Sequence, residues 1–336
     1  MTGYTEKELF AYTGGISRAA EINRFRFTEG KASGMEGISV RTLGGMDVLL
    51  LPDRGLDIAQ VSFKGVRISY MSRNGLVSPF AADLQKDGFV RYFAGGMLTT
   101  CGLRNTGPAC IDDNGEFFPT HGSFSLIQAE EISVNRPDSN TVIISGTIRE
   151  SALFGHDLSV LRSIRISDAE MSISVTDRLT NNSPVEEEIM LTYHYNFGFP
   201  FLQEGCHVVF QSDDTVTPRT SEAAAGMDKH REICKPSEAY KEQVFFHSQN
   251  GDDRGFARAE LINDKLGISA SVVYDTKVLP VIIQWKSMAS GDYVLGLEPS
   301  NNYVMGRKAE RINGTLQKIA PKEIKEYRTE LRFKNI

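Results

Sequence analysis

Between Glu188 and Pro200 the chain reads EIMLTYHYNFGFP, and His194 is the residue in it best able to move a proton. An imidazole titrates near about 6.5, so at neutral pH it both accepts and donates. Read as a strand, the segment puts Glu188, Met190, Thr192, His194 and Asn196 on one face and Ile189, Leu191, Tyr193 and Tyr195 on the other. One face is core; the other carries polar chemistry. A lone strand histidine is more commonly a structural group bonded to the next strand, so a catalytic reading needs partners from elsewhere in the chain.

The first partner is Glu298, at the end of DYVLGLEPSNN. On strand phase it shares a face with Val294 and Gly296, and the glycine leaves space beside the carboxylate. The alternative is a solvated strand-end glutamate. Just upstream, VIIQWKS holds the only tryptophan, Trp285, which is either core or an apolar platform for a sugar ring. His121 sits in PTHGSFS, in a loop entering a strand, where functional residues concentrate. Arg54 in LPDRGLD and Arg104 in CGLRN lie next to turn glycines and can fork onto hydroxyls or carboxylates, although a nearby acid such as Asp53 or Asp57 is the ordinary partner for Arg54. His156, His207, His230 and His247 lack such a context.

Several chemistries find no support. His121, His194 and Glu298 are metal-ligand types, but there is no H-x-H or H-E-x-x-H spacing, so the sequence offers no metal site. AGGMLTTCG lacks the lysine of a phosphate-cradling loop, and no G-x-S-x-G elbow occurs. The four cysteines, Cys101, Cys110, Cys206 and Cys234, form no C-x-x-C pair and read as free, mostly buried thiols. A nucleophilic Cys101 in its glycine-rich turn is the other reading of that residue.

The elements that must hold these groups are strands. Thr5 and Glu8 have capping-box spacing, and Gly14 and Gly15 end the short helix they predict, so residues 1–36 read as an N-terminal appendage. From Gly37 to Ile336 short runs rich in Val, Ile and Leu follow one another, as in GISVRTL, MDVLLLP, LDIAQVSF and VRISYMS. In EMSISVTDRLT, Met171, Ile173 and Val175 alternate with Ser172, Ser174 and Thr176, the pattern of a strand buried on one side. A short helix is expected over Ala81–Lys86. Residues 212–240 are polar and irregular, with a second short helix near Ala223–Arg231, and read as an excursion from the same domain. Without long amphipathic helices between the strands, parallel α/β and solenoid folds drop out, leaving one all-β sandwich.

Bulk properties narrow the partners. Of 336 residues, 40% are hydrophobic and 24% charged, as in a globular protein with a substantial core. A formal charge of -6 with scattered lysines and arginines gives no footprint for nucleic acid. The start lacks the basic end and apolar run of a secretory signal, and no stretch approaches the roughly twenty apolar residues of a membrane helix, so a cytoplasmic protein is expected, away from membranes. The sequence leaves homodimer formation open.

Taken in order, LPDRGLDI, GGMLTTCGLRN, THGSFS, YHYNFGFP and QWK followed by YVLGLEPSNN resemble the aldose 1-epimerase (galactose mutarotase-like) superfamily, and more closely its mutarotase-like branch defined as a domain of unknown function. The likeness runs from about Gly37 to the C-terminus. It implies a β-supersandwich in which His194 is the general acid, Glu298 the general base and His121 a second histidine on the sugar. Arg54, Asp53, Arg104, Asn105, Asn196 and Trp285 are then the expected substrate-binding residues, for a small carbohydrate. Interconverting anomers takes a proton from the anomeric hydroxyl while another reaches the ring oxygen, which needs an acid and a base and no metal or redox cofactor. The other function class compatible with the same concave face is a non-catalytic carbohydrate-binding or sensing protein.

Overall fold

The computed structural model describes residues 5–15, 18–83, 88–211 and 215–336. Its strands form two large antiparallel sheets packed face to face, with two small two-stranded sheets beside them. This is the all-β sandwich expected from the strand-dominated text, in the supersandwich form that the resemblance implies. The path through the larger, twelve-stranded sheet runs Ala20–Arg26, Glu36–Thr42, Met46–Leu51, Asp57–Phe63, Leu98–Leu103, Glu187–Phe197, Asp292–Ser300, Val281–Ala289, Gln243–Ser248 and Thr215–Pro218. The eight-stranded sheet runs Glu130–Asp138, Thr141–Ser151, Asp157–Ser167, Ser172–Asn181, Ile324–Asn335, Ile268–Asp275, Phe256–Asn263 and His207–Phe210. The last strand of the chain thus lies in the middle of the second sheet.

Alternation decides what lies between the sheets. Ile38, Val48, Val61 and Leu191 from the first sheet meet Ile144, Ile164, Val175 and Leu331 from the second in one continuous buried core. The strand Glu187–Phe197 follows the predicted phase. Ile189, Leu191, Tyr193 and Tyr195 join this core, and the two tyrosine hydroxyls reach the second sheet at Asp177 and Thr329, each at 2.7 Å. His194 therefore points out of the opposite face of the first sheet.

Within the core sits one charged cluster. Arg162, wholly buried, donates to Asp177 at 2.9 and 2.7 Å, to Asp57 at 2.8 Å, to the Gly55 carbonyl at 2.9 Å and to Thr100 at 2.9 Å. Asp57 and Thr100 belong to the first sheet, whereas Arg162 and Asp177 belong to the second. The guanidinium is thus a polar clamp between layers, with all its donors used.

The chain ends differ from the sequence reading in one respect. The helix Glu6–Thr13 has the predicted capping box, and Gly14 closes it in the left-handed conformation. The strand Ala20–Arg26, however, pairs along its whole length with Glu36–Thr42, so the segment expected as an appendage supplies an edge strand of the main sheet. Of the helix expected over Ala81–Lys86, residues 84–87 lie outside the described residues; a 3-10 turn, Pro79–Ala81, and a helix, Gly88–Tyr92, flank them. In the excursion, residues 212–214 also lie outside. Its described part includes the edge strand Thr215–Pro218 and the helix Ser221–Ala225, capped by Thr220. Gln284 and Lys286 of the sheet donate to the carbonyls of His230 and Lys229 at 2.7 and 2.9 Å and fasten the excursion down. Cys101 and Cys206 are buried, Cys110 is half-buried and Cys234 exposed, and all four are free. Among the described residues no helix is long and apolar enough to cross a membrane.

Candidate active site

Three adjacent strands deliver the chemistry. Glu187–Phe197 supplies His194, its antiparallel neighbour Asp292–Ser300 supplies Glu298, and the next strand, Val281–Ala289, supplies Trp285. His194 Nε2 and Glu298 Oε1 approach to 3.3 Å, and the indole of Trp285 stands edge-on to the imidazole with centroids 5.3 Å apart. Gly296 faces Trp285 on one side and Asn196 on the other. A Cβ at this glycine would lie 2.4 Å from Glu298 Oε1 and 3.0 Å from Trp285 Cβ, so the space inferred beside the carboxylate is real. Gly296→Ala should therefore displace Glu298 and lower turnover by roughly 100-fold, the cost of an ångström-scale misplacement, with little change in folding cooperativity. Steady-state rates beside a thermal melt check this.

His121 enters from the loop between the small sheets and the second layer. Its backbone is left-handed, φ 58°, a conformation that costs a non-glycine residue about 1–3 kcal/mol and needs surrounding support. The support is a backbone weave: His121 N–H donates to the Gly107 carbonyl at 2.9 Å, and the His121 carbonyl accepts from Gly102 N–H at 3.0 Å. The Gly107 N–H is directed at His121 Nδ1, 3.4 Å away, which leaves Nε2 as the ring's proton-bearing nitrogen. The two histidine rings are 6.2 Å apart.

Around them lies a cavity of about 640 Å³. Phe89, Phe93 and Trp285 form its aromatic wall, with Phe93 5.3 Å from the His194 ring and Phe89 4.6 Å from that of His121. Two ion pairs, Arg219 with Glu242 at 3.3 Å and Arg73 with Asp292 at 2.7 Å, also line it. A wider hollow of about 760 Å³ lies on the second sheet, remote from these groups. Its arginines are held by neighbouring carboxylates, as in Arg165 with Glu170 and Arg332 with Glu330, each at 2.7 Å, an arrangement typical of a solvated sheet face.

Burial sets the charge state of the pair. The His194 imidazole is pushed down to about 3, first by loss of solvent and then by the neighbouring His121, while the Asn196 side chain acts in the opposite direction. Glu298 is pushed well above the ordinary carboxylate range by burial; Arg219 offsets part of this and Glu242 adds to it. His121 falls to about 4, through burial and the Arg219 charge. Burial thus favours the uncharged form of each group, a protonated carboxyl beside a neutral imidazole, so that the pair in this form holds one transferable proton.

Of the residues expected on a ligand, His121, His194, Glu298 and Trp285 line this cavity together, and the others do not. Arg54 is buried and donates to the Val77 carbonyl at 2.6 Å. Asp53 accepts from the Glu36 N–H at 2.8 Å and ties a turn to a strand. Arg104 is forked onto Glu116 and lies over the Phe118 ring. Asn105, fully buried, donates to the carbonyls of Pro108 and Pro119 and accepts from Arg307 N–H. Asn196 donates to the carbonyls of His194 at 2.8 Å and Gly95 at 3.4 Å. In each case the side chain is engaged by the protein's own backbone or a local acid, with Asn196 Oδ1 left over. Sequence reasoning missed Arg219, which reaches the site from the excursion, and Glu242, which lies just beyond it. It also missed Phe89 and Phe93, although their i, i+4 spacing is a legible signal for one helical face.

Comparison with known proteins agrees with this architecture. A family model described as a domain of unknown function (DUF4432) matches residues 32–333. A crystal structure from Klebsiella pneumoniae subsp. pneumoniae, of a protein provisionally assigned as an aldose 1-epimerase, superposes with TM-score 0.88 at 25% identity, covering 94% of this chain and 83% of that one. A galactose mutarotase-like protein from Clostridium acetobutylicum gives 0.65 at 14% identity, covering 95% and 99% of the two chains. The galactose 1-epimerase of Lactobacillus acidophilus gives 0.61 at 12% identity, covering 94% and 98%. The last two likenesses concern the fold alone. No curated protein matches the sequence significantly.

Proposed function

The chain belongs to the DUF4432 family, and on its galactose mutarotase-like fold we propose that it is an aldose 1-epimerase-type isomerase, interconverting the anomers of a reducing sugar by opening and closing the ring. The observation that carries this reading is the 3.3 Å approach of His194 Nε2 to Glu298 Oε1 within a cavity walled by aromatic rings. The anomeric hydroxyl and the ring oxygen are bonded to the same carbon, so the acid and base that serve them must be neighbours.

The steps follow from one shared proton. Sugar binding moves the shared proton across the 3.3 Å contact from Glu298 to His194, whose Nε2–H then faces the ring oxygen, and leaves Glu298 a carboxylate. Glu298 takes the proton of the anomeric hydroxyl as His194 gives its own to the ring oxygen; the bond from C1 to that oxygen breaks and C1 becomes an aldehyde. The pair is now a neutral carboxyl and a neutral imidazole. This is the charge state that burial favours, so the site stabilises the open-chain stage. After rotation about the C1 to C2 bond the transfers reverse and the ring closes on the other face of C1. His121 Nε2–H donates to a sugar hydroxyl, and Trp285 and Phe93 cover the apolar face of the ring.

The proton inventory predicts the pH profile. Activity needs one proton on the pair. It falls in acid as His194, at about 3, takes up a second proton, and falls in alkali as Glu298, raised by burial, loses the only one. The acid limb of kcat/KM, corrected for the spontaneous reaction, should lie well below the ordinary imidazole value of about 6.5. Polarimetry of freshly dissolved pure anomers tests the function itself. An accelerated approach to equilibrium for one sugar of a panel that spans neutral, acidic and phosphorylated aldoses is expected. Ligand-induced change in Trp285 fluorescence without acceleration would instead favour the carbohydrate-binding reading.

A further inference from the structure

Three buried polar atoms at the site have no hydrogen-bond partner among the described residues: His194 Nδ1, Asn196 Oδ1 and Glu298 Oε1. Leaving such atoms unpaired costs about 1–3 kcal/mol each, so three of them meeting at one place call for a physical explanation. Their order supplies it. Asn196 lies two residues beyond His194, on the same face of the same strand, and Glu298 Oε1 lies 3.3 Å from the other nitrogen of the imidazole.

The orientation of the Asn196 amide is fixed by its surroundings. Its Nδ2 donates to the His194 carbonyl at 2.8 Å and reaches the Gly95 carbonyl at 3.4 Å, two acceptors that would repel the oxygen if the amide were turned over. The Gly95 carbonyl is further engaged by Thr99 Oγ1 at 2.6 Å. The backbone of Asn196 is anchored too, its N–H donating to the Met97 carbonyl at 3.0 Å. Oδ1 is thus the end left over, on an amide whose Nδ2 is bonded to the His194 carbonyl, and it can only accept.

We propose that Asn196 is a positioning residue that accepts the Nδ1–H of His194, so that Nε2 is the nitrogen that exchanges protons at Glu298 and at the substrate. The relay then reads from the amide oxygen through the ring to the carboxyl, and each of the three orphaned atoms gains a partner. Two consequences follow. The ring cannot turn over, since Nδ1 is tethered from behind; and the tautomer with its lone pair on Nε2 is selected before any sugar arrives. Because the amide is neutral, it orients the histidine without adding a charge that would hold the ring permanently protonated.

The inference rests on the acid and base roles proposed above, but its primary test does not depend on turnover. In the full-length protein labelled with ¹⁵N-histidine, the six histidines are assigned with the help of His194→Gln, and the ring nitrogens of His194 are read at neutral pH. The expected spectrum has a protonated Nδ1 and an unprotonated Nε2; the reverse pattern overturns the proposal, whatever the sugar assays give. Asn196→Leu, of similar size but without an acceptor, should release the preference and cost about tenfold to a hundredfold in kcat, by analogy with groups that orient a metal-ligating histidine. If that variant fails to fold, the wild-type spectrum still decides. A wild-type ring with the expected tautomer in a protein that accelerates no anomer exchange would sink the isomerase reading and leave this positioning intact.

Discussion

Glu298→Gln should lower the catalysed rate of anomer exchange by roughly 10²- to 10⁴-fold, the range contributed by a positioned general base, with substrate affinity little changed. The side chain is 3% exposed and its Oε1 faces His194, so an amide of the same shape occupies the same place. What it loses is the proton: a carboxamide neither takes the anomeric hydrogen nor returns it. The same substitution should stabilise the fold. The folded-state pKa of Glu298 lies above its unfolded value, so above about pH 4.3 folding works against a carboxylate that the unfolded chain ionises freely. The gain in Tm should be present at pH 7 and vanish as the pH drops below that range. A variant that is both inactive and more stable is the signature of a carboxyl kept buried for chemistry. One that is inactive and less stable would point to a structural role.

The second large effect falls on stability. Arg162→Met should cost about 3–5 kcal/mol, because it strands two carboxylates in the core. Asp57 and Asp177 have side chains only 5% and 1% exposed, and both rely on this guanidinium. Against a domain stability of about 5–15 kcal/mol, that is roughly a fifth or more of the total. Burial already raises the pKa of Asp57, and Arg162 is the largest influence restraining it. With the arginine gone that pKa rises further, so the loss grows as pH increases above the unfolded value of about 3.9 and shrinks toward acid. Urea unfolding at pH 5 and pH 8 checks the sign. Equal losses at the two values would mean that packing, and not the abandoned charges, sets the cost.

Much of this molecule is legible in its residues, and the limits have physical causes. The strand phase of Glu187–Phe197 follows from alternation alone, because a period of two leaves no freedom about which face Tyr193 and His194 take. Gly296 announces the space beside Glu298 for the same reason. Arg104 and Asn105 could not be placed by such logic. Turn glycines bring arginines and asparagines near ligands and near their own backbone with equal ease, and here Glu116 and two prolyl carbonyls claimed them. Arg219 was invisible because it lies in an irregular stretch with no period. It comes to the cavity through the edge pairing of Thr215–Pro218 with Gln243–Ser248, a contact between segments about thirty residues apart. In DLSVLRSIRIS alternation puts Arg162 on the inward face with Leu158, Val160, Ile164 and Ile166, and only the pairing of two sheets reveals which carboxylates let a charge sit there as the clamp between them.

Proton exchange at one anomeric carbon by one imidazole and one carboxyl is the centre of the account, and magnetisation-transfer NMR between the α and β C1–H resonances of a reducing sugar measures it most directly. The wild-type protein should transfer magnetisation well above the spontaneous rate for a free aldose and not at all for its methyl glycoside, which cannot open. Glu298→Gln and His194→Asn should each return the aldose to near the spontaneous rate. Undiminished exchange in either variant would remove that residue from the mechanism, and no exchange by the wild type across neutral, acidic and phosphorylated aldoses would contradict the isomerase outright.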